Sequence, residues 1–355
     1  NCNGADSIPD DTTPPTVLIN TPAEDATVTF LTDIIGTADD ANFLRYVLQI
    51  APVDSPQFVT FASGTVPVIG GVLGQFDPTL LENGIYRIRL VAEDVNGQIS
   101  VDERVYRVAG EAKPGVFALS FIDLQIPVSG IPITVIRSYD SRIKEKRDFG
   151  IGWDLQIKTG SYKHNRTPGL GWIINDKPFL GNFLPCIGGT SETRSHFTEV
   201  RLSDREVYSF ALGITNGNLG ITGACEGEAS FRFIDGPTPG AKLDILDGTS
   251  VIYLRGGSDQ VLDMNAFLDG TEVVYNPKKV RLRTIDGRKI DFDRTAGITR
   301  IEDNNGNQLS ITPGGITHSS GKSIAFQRDL QGRITRITDP IGNMLNYSYD
   351  GNGDL

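Results

Sequence analysis

The chain has 355 residues, a formal net charge of −11 and 39% hydrophobic residues, which is enough length for two or more domains and enough apolar content for real cores. The acidic balance argues against nucleic acid or an anionic membrane surface as the main partner, and no run approaches the ~18 apolar residues of a membrane-spanning helix. With 40 Gly and 19 Pro, frequent Thr, Ile and Val, and no long Ala/Leu/Glu/Lys runs, the expectation is an all-β fold of short strands and tight turns.

Residues 1–13 are polar and acidic and read as a linker. Strands are expected at Thr16–Asn20, Ala26–Gly36, Leu44–Ile50, Phe58–Phe61, Tyr86–Ala92 and Ile99–Val108, with a turn over Asp94–Gly97. This spacing predicts a β-sandwich over 14–108. The PPTVLINTPAEDATV opening, the GTADD segment and the NGIYRIRLVAEDVNGQIS hairpin resemble bacterial immunoglobulin-like or fibronectin-like modules. The resemblance implies a spacer or adhesive unit without the disulfide of antibody domains. Asp39, Asp40, Glu93, Asp94 and Asp102 offer oxygen ligands for calcium. No EF-hand spacing is present, so they read as ordinary acidic loops and no cofactor is expected, with calcium as the alternative.

A second linker, 109–115, is rich in Gly and charge. Beyond it, strands are expected at Val116–Asp123 and Ile131–Tyr139, followed by Phe149–Trp153. Arg137 and Tyr139 are two apart and share a strand face, while Ile136 and Ser138 point the other way. Trp153, after Gly150 and Gly152, reads as a core or stacking residue rather than a ligand platform. The segment LQIPVSGIPITVIRSYDSR followed by FGIGWDL resembles the opening of RHS/YD-repeat proteins, matching at Arg137, Tyr139, Ser141, Gly150, Gly152 and Trp153. From there to residue 230 the chain is expected to form an irregular β-sheet.

Over 231–355 the rhythm is clearer. Ile234-Asp235-Gly236, Leu246-Asp247-Gly248, Leu268-Asp269-Gly270 and Ile285-Asp286-Gly287 each predict a tight hairpin turn. The strands between them are expected at Ala241–Leu246, Ser250–Leu254, Glu272–Tyr275, Val280–Thr284, Lys289–Asp293 and Ile298–Glu302, forming one antiparallel ribbon. Ile298–Ile301 and Ile334–Ile337 share the tetrapeptide ITRI, and Asp303/Asp339 and Gly306-Asn307/Gly342-Asn343 match at the same offset, as in repeated supersecondary units. GRITRITDPIGNMLNYSYDGNGDL resembles the YD repeat itself, at Gly332, Arg333, Asp339, Gly342, Asn343, Tyr347, Tyr349, Asp350, Gly353 and Leu355. The chain has no initiator Met and closes on a turn without a following strand, so it reads as a piece of something longer.

Catalytic sets are thin. His164, His196 and His318 lack metal spacing and read as loop or surface residues. No G-x-S-x-G elbow occurs, and Gly188-Gly189 and Gly256-Gly257 lack the Lys of a phosphate loop. Cys186 and Cys225 enclose a loop that a disulfide could close, two free thiols being the alternative, and Cys2 reads as unpaired. The family resemblance implies a structural, non-catalytic part of a secreted or cell-surface RHS/YD-repeat protein. Its shell encapsulates and delivers a C-terminal toxin, or it serves as a teneurin-like adhesion scaffold. The implied partners are the rest of its own polypeptide and a cell-surface glycan or protein receptor. The alternatives are an adhesin binding through the 14–108 module and, more remotely, a polysaccharide-acting enzyme.

Overall fold

The alternation across Tyr86–Ala92 sends Ile88, Leu90 and Ala92 into a core and turns Arg87, Arg89 and Val91 outward, and in the computed structural model this stretch is the middle of the first unit's larger sheet. The structure describes residues 12–111, 113, 116–175, 177–179, 184–187, 189–215, 218–219, 225–353 and 355, without the side chains of 177–179, 184–187 and 218–219. The chain divides into two compact units, Asn1–Gly115 and Val116–Leu355. Both are all-β with antiparallel sheets, apart from a short parallel pair in the first.

Among its described residues the first unit has eight strands: β1 (Thr16–Thr21), β2 (Thr27–Val28), β3 (Thr32–Asp39), β4 (Phe43–Pro52), β5 (Val59–Gly64), β6 (Val68–Phe76), β7 (Gly84–Asp94) and β8 (Ile99–Val108). They form two sheets, β1-β3-β6 and β2-β8-β7-β4-β5, around one core that contains Ile34, Leu48, Leu73, Ile88, Leu90 and Tyr106. Sequence periodicity misses β6, because Gly70, Gly71 and Gly74 interrupt its apolar pattern. Gly74 is needed there: a Cβ would lie 2.6 Å from that of Ala62.

The second unit opens with β9 (Ala118–Ile126), β10 (Ile133–Asp140), β11 (Lys146–Arg147), β12 (Gly150–Ile151) and β13 (Trp153–Leu155). β13-β10-β9 is a three-stranded sheet, and β11 and β12 pair beside it. Next come β14 (Ser161–His164), β15 (Trp172–Ile174), β16 (Lys177–Phe179), β17 (Leu184–Ile187), β18 (Thr190–Glu192), β19 (Phe197–Arg201), β20 (Val207–Ile214), β21 (Asn218–Leu219) and β22 (Cys225–Asp235). The run continues through β23 (Lys242–Ile245), β24 (Val251–Leu254) and β25 (Val261–Asp263) to a short α-helix, α1 (Met264–Leu268). A seven-stranded sheet runs β14-β19-β20-β22-β24-β25, with β21 beside β22. The remaining strands are β26 (Lys279–Arg283), β27 (Lys289–Asp293), β28 (Gly297–Glu302), β29 (Gln308–Thr312), β30 (Gly315–His318), β31 (Ser323–Arg328), β32 (Ile334–Thr338) and β33 (Met344–Asn346). With β23 at one edge they form a nine-stranded meander in chain order. Its apolar face, with Val280, Leu282, Phe292, Leu309, Ile316, Ile334 and Ile337, shares one core with Ile133, Val135, Phe149, Tyr162 and Phe210 of the preceding segments.

The expected uninterrupted ribbon over 231–355 needs correction. The 230/231 boundary falls inside β22, and β24 and β25 belong to the seven-stranded sheet. Of the four Asp-Gly turns, only Ile285-Asp286-Gly287 closes a hairpin, β26–β27. Asp235-Gly236 and Asp247-Gly248 carry the chain between two sheets, and Asp269-Gly270 ends α1. Glu272–Tyr275 is not a strand and makes only a single bridge, Val274 to Leu262. Asp-Gly reports where a chain can turn, not which sheet it turns into, because partner choice depends on burial elsewhere.

The offset repeat has a local cause. At Asp303 the backbone N–H donates to Asn307 O (3.0 Å), while Gly306, at φ +84°, supplies the left-handed step of the turn and donates to Asp303 O (3.2 Å). The Asp303 carboxylate accepts from the N–H groups of Asn305 and Asn307. Asp329 and Asp339 build the same five-residue turn. At His318 the ring takes the carboxylate's place, with Nδ1 accepting from Ser320 N at 2.9 Å. Two further turns of this kind, at His318 and Asp329, therefore lie inside the matched offset, together with a tighter turn between β29 and β30, and the offset steps over four strands of a single sheet. Nothing would meet a Cβ at Gly306. Gly306→Ala is therefore expected to cost about 1 kcal/mol from the positive φ alone, and Gly306→Asn less, measured by equilibrium unfolding.

Candidate functional site: the junction of the two motif segments

Arg137, on β10 opposite Phe121, and Asp123, at the register shift of the neighbouring β9, make a two-pronged ion pair, Nε to Oδ2 at 2.8 Å and Nη2 to Oδ1 at 3.0 Å. Tyr347, just past β33, donates its hydroxyl to the same Asp123 Oδ2 at 2.7 Å. The guanidinium lies 5.2–5.6 Å from the ring centres of Trp153, Phe121 and Tyr347. Burial raises the Tyr347 hydroxyl well above its ordinary range, and the Asp123 carboxylate adds to the shift, so Tyr347 remains a donor at any physiological pH. The Asp123 hydrogen bond raises Arg137 further, against the opposing effect of burial.

The aromatic residues of the opening segment assemble around this pair. Tyr139 packs on Trp153 at 5.2 Å, Trp153 stacks on Phe121 at 6.1 Å, and Phe149 meets Tyr347 at 5.0 Å. Arg137 and Tyr139 thus share a face, and Trp153 packs against the core as a half-buried stacking residue. The two motif glycines have steric reasons. A Cβ on Gly152, at φ +74°, would lie 2.8 Å from the Tyr139 ring, and one on Gly150, at φ +107°, would lie 2.8 Å from Gly353 O. Tyr349 donates to Ile334 O at 2.6 Å, lies under Arg333 at 4.1 Å and has its hydroxyl pushed up to about 12 by burial. The structure therefore brings together Arg137, Tyr139, Gly150, Gly152, Trp153, Tyr347 and Tyr349. Asp339, Gly342, Asn343 and Asp350 stand apart, in the outer turns.

Sequence reasoning misses the second half of the junction. Asp148 receives Lys158 Nζ at 3.2 Å and Arg328 Nη1 at 2.6 Å, and its carbonyl accepts from Ile334 N at 2.7 Å, so it ties β31 and β32 to the opening segment. Burial pushes Asp148 up, but Lys158 and Arg328 outweigh it and hold it below the usual carboxylate range. Asp154 beside it is pushed up to about 6, by burial first and by the Asp148 charge second. A carboxyl raised in the fold adds stability that is complete below about pH 4 and is lost as pH rises through about 6. Between pH 7.5 and 5 the second unit should therefore gain stability as pH falls. Asp154→Asn should flatten that slope in a series of thermal midpoints; an unchanged slope would contradict the assignment. No sequence signal marks this pair, because its members matter only for what the fold places around them.

The histidines correct the sequence expectation, because all three are buried. His164 Nε2 meets the Tyr162 hydroxyl and Nδ1 the Thr198 hydroxyl, both at 2.7 Å, and burial pushes the ring down to about 3, with Arg294 adding to the shift. His196 stacks on Trp172 at 4.6 Å and bonds Glu192 and Leu170 O. Polar side chains in a β-rich core look like loop residues in sequence, and only the fold shows their partners. Cys225 is buried on β22 and disulfide-bonded. The side chain of Cys186, its expected partner, and all of Cys2 lie outside the described residues. Among the described residues no group of three His, Cys, Asp or Glu side chains is placed to hold a metal ion, and no helix is long and apolar enough to cross a membrane.

Fold and junction together define an all-β protein with a two-sheet first unit and a hairpin meander pinned to the segment that opens the second. No protein-family profile matches the chain, and no curated protein matches it.

Proposed function

We propose that residues 116–355 are the opening section of an RHS/YD-repeat β-shell, preceded by an immunoglobulin-like module at 14–108, and that their role is structural rather than catalytic. One observation carries the reading. Arg137 and Gly150, in the segment that resembles the family's opening, meet Tyr347, Tyr349 and Gly353, in the segment that resembles its repeat, across some two hundred residues of chain. Such a junction holds the first turn of a hairpin wall against the segment that starts it. The buried cationic and aromatic groups serve as clamps, and the histidine nitrogens of His164 and His196 are engaged within the fold. In this reading the wall sequesters a C-terminal toxin of the same polypeptide and the parent protein is secreted or on the cell surface. The Cys225 disulfide favours such an oxidising compartment. Electron microscopy of the product of the full open reading frame tests the proposal. A hollow wall of hairpins continuing from β33 supports it, and a solid or unrelated structure there overturns it.

A further inference from the structure

The first unit is strongly acidic, with sixteen Asp and Glu against six Lys and Arg. Three of those six cations, Arg45, Arg87 and Arg89, nevertheless project from one face of one sheet, the outer face of β4 and β7. On that face lies a half-open cleft of about 490 Å³. Its floor is apolar, with Val47, Val91 and Val101 in cross-strand register. Arg45 at one end is neutralised by Glu93 at 2.8 Å, and Arg87, beside the cleft, by Glu103 at 3.3 Å. Arg89 is different. It lies 3.9 Å from the Phe58 ring centre and its Nε donates to Gln49 Oε1 at 2.8 Å, while Gln49 in turn donates to Thr60. Among the described residues it makes no ion pair. Its terminal nitrogens are held in a fixed plane at the edge of an apolar floor, which is the arrangement that receives a carboxylate in bidentate fashion.

We propose that this cleft binds a carboxylate-bearing sugar residue, such as a uronic acid, with the carboxylate on Arg89, the ring's C–H face on the valine floor and hydroxyls toward Gln49 and Thr60. The volume suits one or two sugar rings, and the polar row beside the floor matches hydroxyl groups spaced around a ring. The site makes no use of the junction in the second unit, so it stands whether or not that unit is a shell wall.

Titration calorimetry of the full 355-residue chain with trigalacturonate tests the inference, with the uncharged methyl ester of the same trisaccharide as control. The ester is expected to bind at least tenfold more weakly. Arg89→Gln should abolish the difference between acid and ester, and Arg89→Lys should lose most of it because the two-pronged contact is gone. Val47→Glu, which places a competing carboxylate on the floor, should block binding without touching Arg89, provided its thermal midpoint is unchanged. Equal binding of acid and ester overturns the proposal, as does binding undisturbed by both Arg89 and Val47 substitutions. Equally tight binding of a Glu-rich peptide assigns the cleft to acidic peptides and also overturns it, as does no binding of trigalacturonate at all.

Discussion

Arg137→Ala is expected to destabilise the second unit by about 3 kcal/mol, because it leaves the largely buried Asp123 carboxylate without its cation and removes the plate against which Phe121, Trp153 and Tyr347 pack. For a unit of this size that corresponds to a fall of roughly 6–12 °C in its thermal midpoint. Arg137→Lys keeps the charge but not the fork or the flat stacking surface, and should recover only part of the loss. Both tryptophans, Trp153 and Trp172, belong to the second unit, so their fluorescence follows its unfolding without contribution from the first. Trp153 touches the altered group directly. A double-mutant cycle with Asp123→Ala separates the cost of an orphaned carboxylate from the worth of the pair. If the double variant is as unstable as Arg137→Ala alone, the stacking contacts dominate. If it recovers stability, the unpaired charge does. A loss below ~0.5 kcal/mol for Arg137→Ala would show that the junction does not hold the unit together.

Breaking the Cys225 disulfide is expected to be at least as costly. Non-reducing peptide mapping should find it joined to Cys186, and linkage to Cys2 would refute that pairing. A loop of about forty residues gives a loss of roughly 4 kcal/mol on reduction in the chain-entropy account. Cys225 lies in a core of its own with Trp172, Ile174, Ile252, Leu254 and Tyr275, separate from the larger core behind the meander. Reduction should therefore perturb Trp172 before the meander yields. Amide exchange should register this as early loss of protection in β22 and β24 while β27 to β32 stay protected. Simultaneous loss across both would mean that the two cores unfold as one.

Much of the architecture is legible in local chemistry. Lys289–Asp293 is a strand at its expected bounds, and Ile99–Val108 likewise, because alternation along a half-buried strand is a property of the strand itself. The Asp-x-x-Gly turns can be read for the same reason, since a side-chain acceptor and a left-handed glycine act within five residues. β6 escapes because its packing needs glycine. The buried histidines escape because nothing local signals their burial: Tyr162 and Glu192 are near neighbours in sequence, and only sheet register sets Thr198 opposite His164.

The candidate site divides the same way. Composition, period and turn chemistry by themselves determined that this protein is all-β, where strands such as Ile99–Val108 and Lys289–Asp293 run, and that Arg137 and Tyr139 share a face. Only the tertiary structure decided that Asp123 holds both Arg137 and Tyr347, that Asp148 and Asp154 lie side by side, and that Arg89, without a carboxylate partner among the described residues, stands above an apolar floor. Turn preferences and strand alternation arise from interactions a few residues long. Ion pairing, burial and pKa depend on which distant segments share a sheet or a core, and the second unit makes that choice through strand pairings and side chains that meet across most of its length.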